Sequence, residues 1–111
     1  MNFQDYQNKT KETAIYPGKG ETLGVCYTAI GMANEAGEVC GKIKKMLRDD
    51  NGVLLLDRQE AILDEIGDVL WYISQLCTEC GISLESAAYR NISKLRDRAS
   101  RNVIGGDGDT R

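Results

Sequence analysis

The chain contains no histidine and one proline, Pro17, and no apolar stretch approaches the roughly 20 residues that a membrane-spanning helix requires. Without histidine, the sequence excludes Ser–His–Asp and Cys–His catalysis and nearly every zinc site that uses imidazole. The first twelve residues are polar and lack the apolar segment of a secretory signal. We therefore expect a cytoplasmic protein whose chemistry depends on carboxylates, lysine, arginine, tyrosine or cysteine.

The net charge and the cysteines bear on which partners and which kinds of site the chain can have. A net charge of -3 over 111 residues does not favour a nucleic acid polymer as partner, and the length is typical of one domain. In the cytoplasm, the four cysteines are expected to be reduced thiols: Cys26, Cys40, Cys77 and Cys80. The C-x-x-C spacing of the last two leaves a zinc or redox module as an alternative. However, the first three cysteines occupy apolar positions of helical patterns, where a free cysteine acts as a small hydrophobic residue.

Apolar residues recur at spacings of three and four in four segments, which predicts an all-α protein, a four- to five-helix bundle. The segments cover residues 2 to about 15, 22 to about 47, 58 to 80 and 83 to about 101. Turn residues mark the loops 16–20 and 49–52. The apolar run Val53–Leu56 is expected to be a packed connection rather than a strand. We assign residues 1–104 to one domain and the Gly/Asp-rich residues 105–111 to a flexible tail or a loop ordered by ligand.

A short acidic motif occurs twice, at an offset of thirty residues. Glu35-Ala-Gly-Glu38-Val on the second helix matches Glu65-Ile-Gly-Asp68-Val on the third. Residues three apart share one side of a helix, so each motif presents a pair of carboxylates in one direction. At about 100° per residue, both pairs lie at the same edge of an apolar face. If the two helices pack antiparallel, the four carboxylates can converge on one point.

The ordinary interpretation of an E-x-x-E pair is a solvated helix face, and the repetition weakens it. Gly37 and Gly67 lie between the acids, and a mid-helix glycine costs about 1 kcal/mol relative to alanine. Each glycine therefore indicates a close backbone approach or a functional demand. Four converging carboxylates repel one another unless a divalent cation binds them, and hard oxygen ligands favour magnesium or manganese. A di-iron site of the E-x-x-H type lacks its histidines.

The fourth helix carries a basic stripe that complements the acids: Arg90, Lys94, Arg98 and Arg101. A solvated basic face near a helix C-terminus is the alternative, since the helix dipole favours cations there. An acidic metal site together with basic side chains is the combination that a polyphosphate substrate needs.

Together these motifs resemble the signature of the MazG-like, all-α NTP pyrophosphohydrolases. The resemblance covers roughly residues 3–101 and depends on three segments: Glu35–Glu38, Asp64–Tyr72 and Asn91–Leu95. It implies a helical homodimer or homotetramer. It also implies magnesium-dependent hydrolysis of (deoxy)nucleoside triphosphates between the α and β phosphates, which yields a nucleoside monophosphate and pyrophosphate.

By that resemblance, the carboxylates of the repeated motif hold the metal ion: Glu35, Glu38, Glu65 and Asp68. Glu38, or its neighbour Glu35, would orient or deprotonate the attacking water. The side chains expected to contact the sugar or the phosphates are Tyr72, Asn91 and Lys94. Lys42 and Arg98 are further substrate-binding candidates because of their positions on their helices.

Other features leave alternatives open. Trp71 points away from the acidic edge, which favours packing or an oligomer contact over base stacking. Phe3, Tyr6 and Gln7 could contact the base or belong to the core or an interface. Asn34 stands where many relatives carry another glutamate, which would leave fewer acidic groups around the metal. A non-catalytic, cation-binding helical oligomer or interaction module is the main alternative function.

Overall fold

A computed structural model describes all 111 residues, and its regular structure is entirely helical. The elements are α1 (Phe3–Thr10), a short 3-10 turn (Lys11–Thr13), α2 (Thr22–Asp49), α3 (Leu56–Glu79) and α4 (Leu84–Ser100). The all-α prediction is confirmed. None of these helices has the combination of length and apolarity that crossing a bilayer demands.

The helix ends follow local sequence signals. Ser83 caps α4, because its hydroxyl accepts a hydrogen bond from the Ser86 amide at 3.1 Å. Gly81 has a φ of +68°, the left-handed conformation that ends α3. The first helix is shorter than predicted. It ends at Thr10, whose hydroxyl donates to the carbonyl of Gln7 at 2.9 Å before the chain continues as the 3-10 turn.

Helices α2 and α3 form an antiparallel hairpin that contains most of the packing between helices. The facing pairs run in opposite order along the two helices: Gly24 with Glu79, Gly31 with Tyr72, and Asp50 with Arg58. The last pair is a partly buried ion pair at 2.9 Å that closes the hairpin near its turn. This arrangement is the antiparallel packing on which the predicted convergence of carboxylates depends.

A buried polar cluster fixes α1 against α3. The Thr10 hydroxyl lies 2.9 Å from the Ser74 hydroxyl and 2.8 Å from the Gln75 carbonyl oxygen. Gln7 donates to the Thr78 hydroxyl at 3.1 Å and accepts from the Leu84 amide at 2.9 Å. Gln7 is therefore a structural residue that links α1, α3 and the start of α4, and this resolves its two predicted roles in favour of the core.

A single chain leaves most of its large apolar side chains in solvent. Only Ala14, Cys77 and Leu84 are buried apolar residues. The apolar residues of α4 beyond Leu84 and those of the second half of α2 are largely exposed. The run Val53–Leu56 is exposed too, so the prediction of a packed connection is wrong for the isolated chain. The radius of gyration is 16.8 Å, whereas a compact chain of this length has about 13 Å. One copy is thus an open helical assembly, because α4 has few contacts with the hairpin.

Candidate functional site

Three of the four predicted metal ligands converge at the middle of the α2–α3 hairpin. One carboxylate oxygen from each of Glu35, Glu65 and Asp68 lies within 4.8 Å of the others. Glu35 and Glu65 are half-buried, whereas Asp68 is exposed. Because the two helices run antiparallel, the first acid of α2 faces the second acid of α3. We call these three residues the acid group.

Glu38 is exposed and lies outside the acid group, although it follows Glu35 by one helical turn. Its charge still acts on the group. Partial burial raises the pKa of Glu35, and the carboxylates of Asp68, Glu65 and Glu38 raise it further, in that order. The repulsion predicted for converging carboxylates is therefore present, and it contributes to the raised pKa of Glu35.

Lys42 contacts the acid group from within the same helix hairpin. Its ammonium nitrogen lies 3.5 Å from a carboxylate oxygen of Glu65, and both side chains are partly buried. The predicted substrate-binding lysine is thus paired with a predicted metal ligand. The pair places one positive charge at the edge of three negative ones.

Tyr72 lies beside the acid group on α3. Burial raises the pKa of the Tyr72 phenol, and nearby Tyr27 contributes both by its charge and by a hydrogen bond. The carboxylates of Glu35 and Asp68 add to the effect. The phenol therefore stays protonated at neutral pH and can donate a hydrogen bond at the border of the acid group.

An aromatic cluster continues from Tyr72 away from the acids. The ring of Tyr16 stacks on Tyr27 with centroids 5.4 Å apart, and Trp71 meets both Tyr16 and Tyr72 edge-on at 6.1 and 5.1 Å. Trp71 also donates to the Thr13 hydroxyl at 2.9 Å, so it serves in packing. A cavity of about 260 Å³ lies among these rings. Sequence reasoning missed Tyr16, because the loop 16–20 carries no periodic signal, and it also missed Tyr27 on α2.

The mid-helix glycines of the acidic motifs do not mediate close packing within one chain. A Cβ atom at Gly37 or Gly67 would meet nothing within 4 Å, so the expectation of a close backbone approach there is wrong for the single chain. The close approach occurs at Gly31, where a Cβ atom would overlap the ring of Tyr72. Gly31 therefore permits Tyr72 to lie against α2.

A basic pocket lies on α4, where the sequence predicted phosphate contacts. The cavity measures about 380 Å³ and is lined by Ala87, Arg90, Asn91, Lys94 and Asp109. No member of the acid group lines it. The structure thus brings Asn91 and Lys94 together with the guanidinium of Arg90. Within a single chain, this pocket is separate from the acid group.

The C-terminal tail, predicted to be flexible, folds back onto α4 and contacts this pocket. Asp109 accepts hydrogen bonds from Lys94 at 3.3 Å and, through its backbone carbonyl, from the Arg98 guanidinium at 2.9 Å. The two cations lower the pKa of Asp109, with Lys94 as the larger cause. Arg98 is buried, with 5% of its surface exposed, whereas Arg101 pairs with Asp97 on its own helix. No sequence pattern predicts the Asp109 contact.

Comparison with known proteins identifies the family of the chain. The MazG nucleotide pyrophosphohydrolase domain matches residues 27–103, which include every predicted site residue but neither α1 nor the tail. The chain belongs to the MazG family. It is also 40% identical, over 114 aligned residues and the full length of both chains, to the Gene 37 protein of Mycobacterium phage L5. No solved structure matched the chain.

The acid group fits the divalent cation that MazG proteins generally use. Its donors are three carboxylate oxygens within 4.8 Å, a set of hard ligands suited to magnesium or manganese. Burial is the larger cause of the raised pKa of Glu35, and the neighbouring carboxylates add to it even though the ammonium of Lys42 lies beside Glu65. A bound cation would offset the negative charge of these carboxylates.

The cysteines do not have the properties of a redox site in this MazG protein. Burial raises the pKa of the Cys77 thiol, which is the opposite of the shift that activates a nucleophilic thiolate. Cys26, Cys40 and Cys80 are exposed, so the expectation that the first two are buried hydrophobic residues is wrong for the single chain.

Proposed function

We propose that the chain hydrolyses (deoxy)nucleoside triphosphates between the α and β phosphates, releasing a nucleoside monophosphate and pyrophosphate, with magnesium as the cofactor. Manganese is the alternative cation. The observation that carries this proposal is the acid group, three carboxylates within 4.8 Å on two antiparallel helices of a MazG domain. Three carboxylates repel the negatively charged phosphates of a nucleotide, so they can bind such a substrate only through a cation that lies between the carboxylates and the phosphates.

In this proposal, Glu35, Glu65 and Asp68 hold the cation, with Glu38 available as a fourth ligand. The cation supplies a Lewis acid for the phosphate oxygens. The chain must then orient a water molecule and accept its proton. Glu38 is suited to this role because it is exposed and lies outside the acid group. Glu35 is the second candidate, because it belongs to the acid group and lies one helical turn from Glu38.

The substrate-binding residues have distinct tasks. Tyr72 would donate its phenol proton to the sugar or to the α phosphate, because it borders the acid group. Asn91, Lys94 and Arg98 would bind the outer phosphates from the pocket on α4. Lys42 would exchange its contact with Glu65 for one with a phosphate when the cation binds, since cation and ammonium compete for the same carboxylate.

We also propose that the protein functions as a homodimer or homotetramer. Three buried apolar residues cannot offset the conformational entropy of a folded chain of 111 residues. Many of the exposed apolar side chains lie on α2, α3 and α4, and examples are Leu47, Leu63, Ile66, Ile92 and Leu95. A second copy that covers these faces would also be a means of bringing a basic pocket to an acid group, which one chain keeps apart.

The test is an assay for pyrophosphate released from a panel of NTPs and dNTPs in the presence of magnesium. We expect Glu38→Gln and Asp68→Asn each to reduce turnover by about 100-fold or more while the helical circular dichroism is retained, since each removes a carboxylate that acts in the transition state. Glu60→Gln is the matched control, because Glu60 is an exposed acid of α3 outside the acid group. Wild-type turnover in both site variants would contradict the assignment. Cation binding without turnover of any nucleotide would favour the non-catalytic oligomer instead.

A further inference from the structure

The tail places a carboxylate where the proposed function requires a phosphate. The side chain of Asp109 lies 3.3 Å from the Lys94 ammonium and 3.4 Å from the Arg98 guanidinium. Neither cation has another carboxylate partner in the chain, and Arg90 on the same pocket has none at all. Asp109 is therefore the one internal anion of this basic pocket.

The tail has a defined backbone that directs Asp109 toward α4. Left-handed φ values of +58° at Asn102, +102° at Gly106 and +83° at Gly108 reverse the chain after the helix. Arg111 then closes the loop, because its guanidinium donates to the backbone carbonyls of Val103, Ile104, Gly105 and Gly108. A loop of this kind holds its acidic residue at the pocket through hydrogen bonds and ion pairs to α4 and within the tail itself.

We propose that the tail is an internal competitor for polyphosphate, in which Asp109 occupies the α4 pocket until the phosphates of a substrate displace it. This inference rests on the part of the proposed function that assigns Lys94 and Arg98 to phosphate. A polyphosphate of higher charge displaces the Asp109 carboxylate because Lys94 and Arg98 each bind a more strongly charged anion. Release of the tail then exposes Arg98, which the tail keeps buried.

The strength of the contact suits displacement. The Asp109 side chain is 86% exposed, and the Lys94 side chain is 42% exposed. The Arg98 side chain is only 6% exposed, but the carboxylate that it faces is largely solvated, so both ion pairs of Asp109 are weak and are screened by salt. The tail is therefore expected to reduce polyphosphate affinity by only about two- to fivefold, the range of an exposed ion pair.

The first test measures binding of inorganic tripolyphosphate by calorimetry to the full chain and to Asp109→Asn. We expect the variant to bind about two- to fivefold more tightly at low salt, with the difference shrinking as salt is raised. Asp107→Asn is the matched control, since it removes the same charge from the same tail. The Asp107 side chain accepts only the amide of Gly108 and does not contact α4. Equal affinities of the two variants would overturn the proposal.

The second test observes the tail directly. We expect tripolyphosphate to shift the amide resonances of Gly106 and Gly108 toward values of a mobile chain, and Lys94→Gln to move them in the same direction without ligand. Tail resonances that stay fixed at saturating tripolyphosphate would also overturn the proposal.

The two proposals fail in different ways. Turnover of nucleotides with identical KM in the wild-type chain, Asp109→Asn and Asp107→Asn would leave the enzyme activity intact and overturn the role of the tail. Release of the tail by tripolyphosphate in a chain that hydrolyses no nucleotide would support the tail as a competitor and contradict the proposed hydrolysis.

Discussion

Replacing Glu35 with glutamine tests the acid group as an electrostatic unit. Two unit charges 4.8 Å apart repel by roughly 1 kcal/mol in bulk water and by about 3.5 kcal/mol at an effective dielectric constant of 20. Glu35 is half-buried and faces both Glu65 and Asp68, whereas the ammonium of Lys42 offsets part of the repulsion. We therefore expect Glu35→Gln to stabilise the metal-free protein by about 1–2 kcal/mol, or roughly 5 °C in Tm.

Magnesium should make the wild-type protein more stable than Glu35→Gln, which reverses their order of stability without metal. A ligand at 100 times its Kd stabilises the folded state by about 2.7 kcal/mol, and the wild-type chain should gain most of this. The variant lacks one ligand and should gain less than half of it. The assay is thermal unfolding at fixed protein concentration, with and without magnesium, and Glu60→Gln serves as the control that removes an acid outside the group.

The stability of the metal-free protein should depend on pH through Glu35, and the raised pKa of this residue gives the direction of the change. The pKa of Glu35 is raised in the folded state, so the folded chain binds this proton more tightly than the unfolded chain does. Relative to Glu35→Gln, the metal-free wild-type protein should therefore gain stability as the pH falls toward that pKa. Magnesium should bind more weakly over the same range because protons compete for the ligand. A variant that is less stable than wild type without metal, or equally stabilised by magnesium, would refute this account.

Three further predictions concern packing, tyrosine ionisation and assembly. Gly31→Ala should lower the unfolding free energy by about 1–3 kcal/mol because its Cβ overlaps a tyrosine ring, whereas Gly37→Ala, which enters open space, should raise it by up to about 1 kcal/mol in denaturant titrations. Tyr16 should be the last tyrosine to ionise in an absorbance titration, because burial and hydrogen bonding raise its pKa to about 12. Leu63→Asp should dissociate the proposed oligomer in light-scattering measurements, while Ile15→Asp, which is exposed outside the long helices, should leave the mass unchanged.

The acidic motifs show how far sequence reasoning reaches. Glu35 and Glu65 occupy the same phase of two helices, and this was readable from the repeat because helix geometry is local and regular. The match of residues 27–103 to the MazG domain agrees with the resemblance drawn from these motifs. Which of the four acids meet was not readable, since it depends on the separation and rotation of two helices. The structure groups three of them and leaves Glu38 in solvent.

The apolar pattern was a less reliable guide. Spacings of three and four located the helices, but in one chain apolar residues on those spacings, such as Leu47 and Ile92, are exposed. A periodic apolar face indicates that a helix packs against another surface. It does not show whether that surface belongs to the same chain or to another one. The glycines illustrate the same limit, since Gly31 and Gly37 look alike in sequence and only Gly31 has a ring against it.

The sequence alone determined the helices, the helix cap at Ser83 and the pairing of carboxylates on two helix faces, because these follow from hydrogen bonds and spacings within one or two turns. The tertiary structure decided which carboxylates converge, which side chain Gly31 admits and where Asp109 lies. Those contacts join residues far apart in the chain or on opposite sides of a turn. Their distances are set by how whole helices pack, which no local pattern of residues encodes.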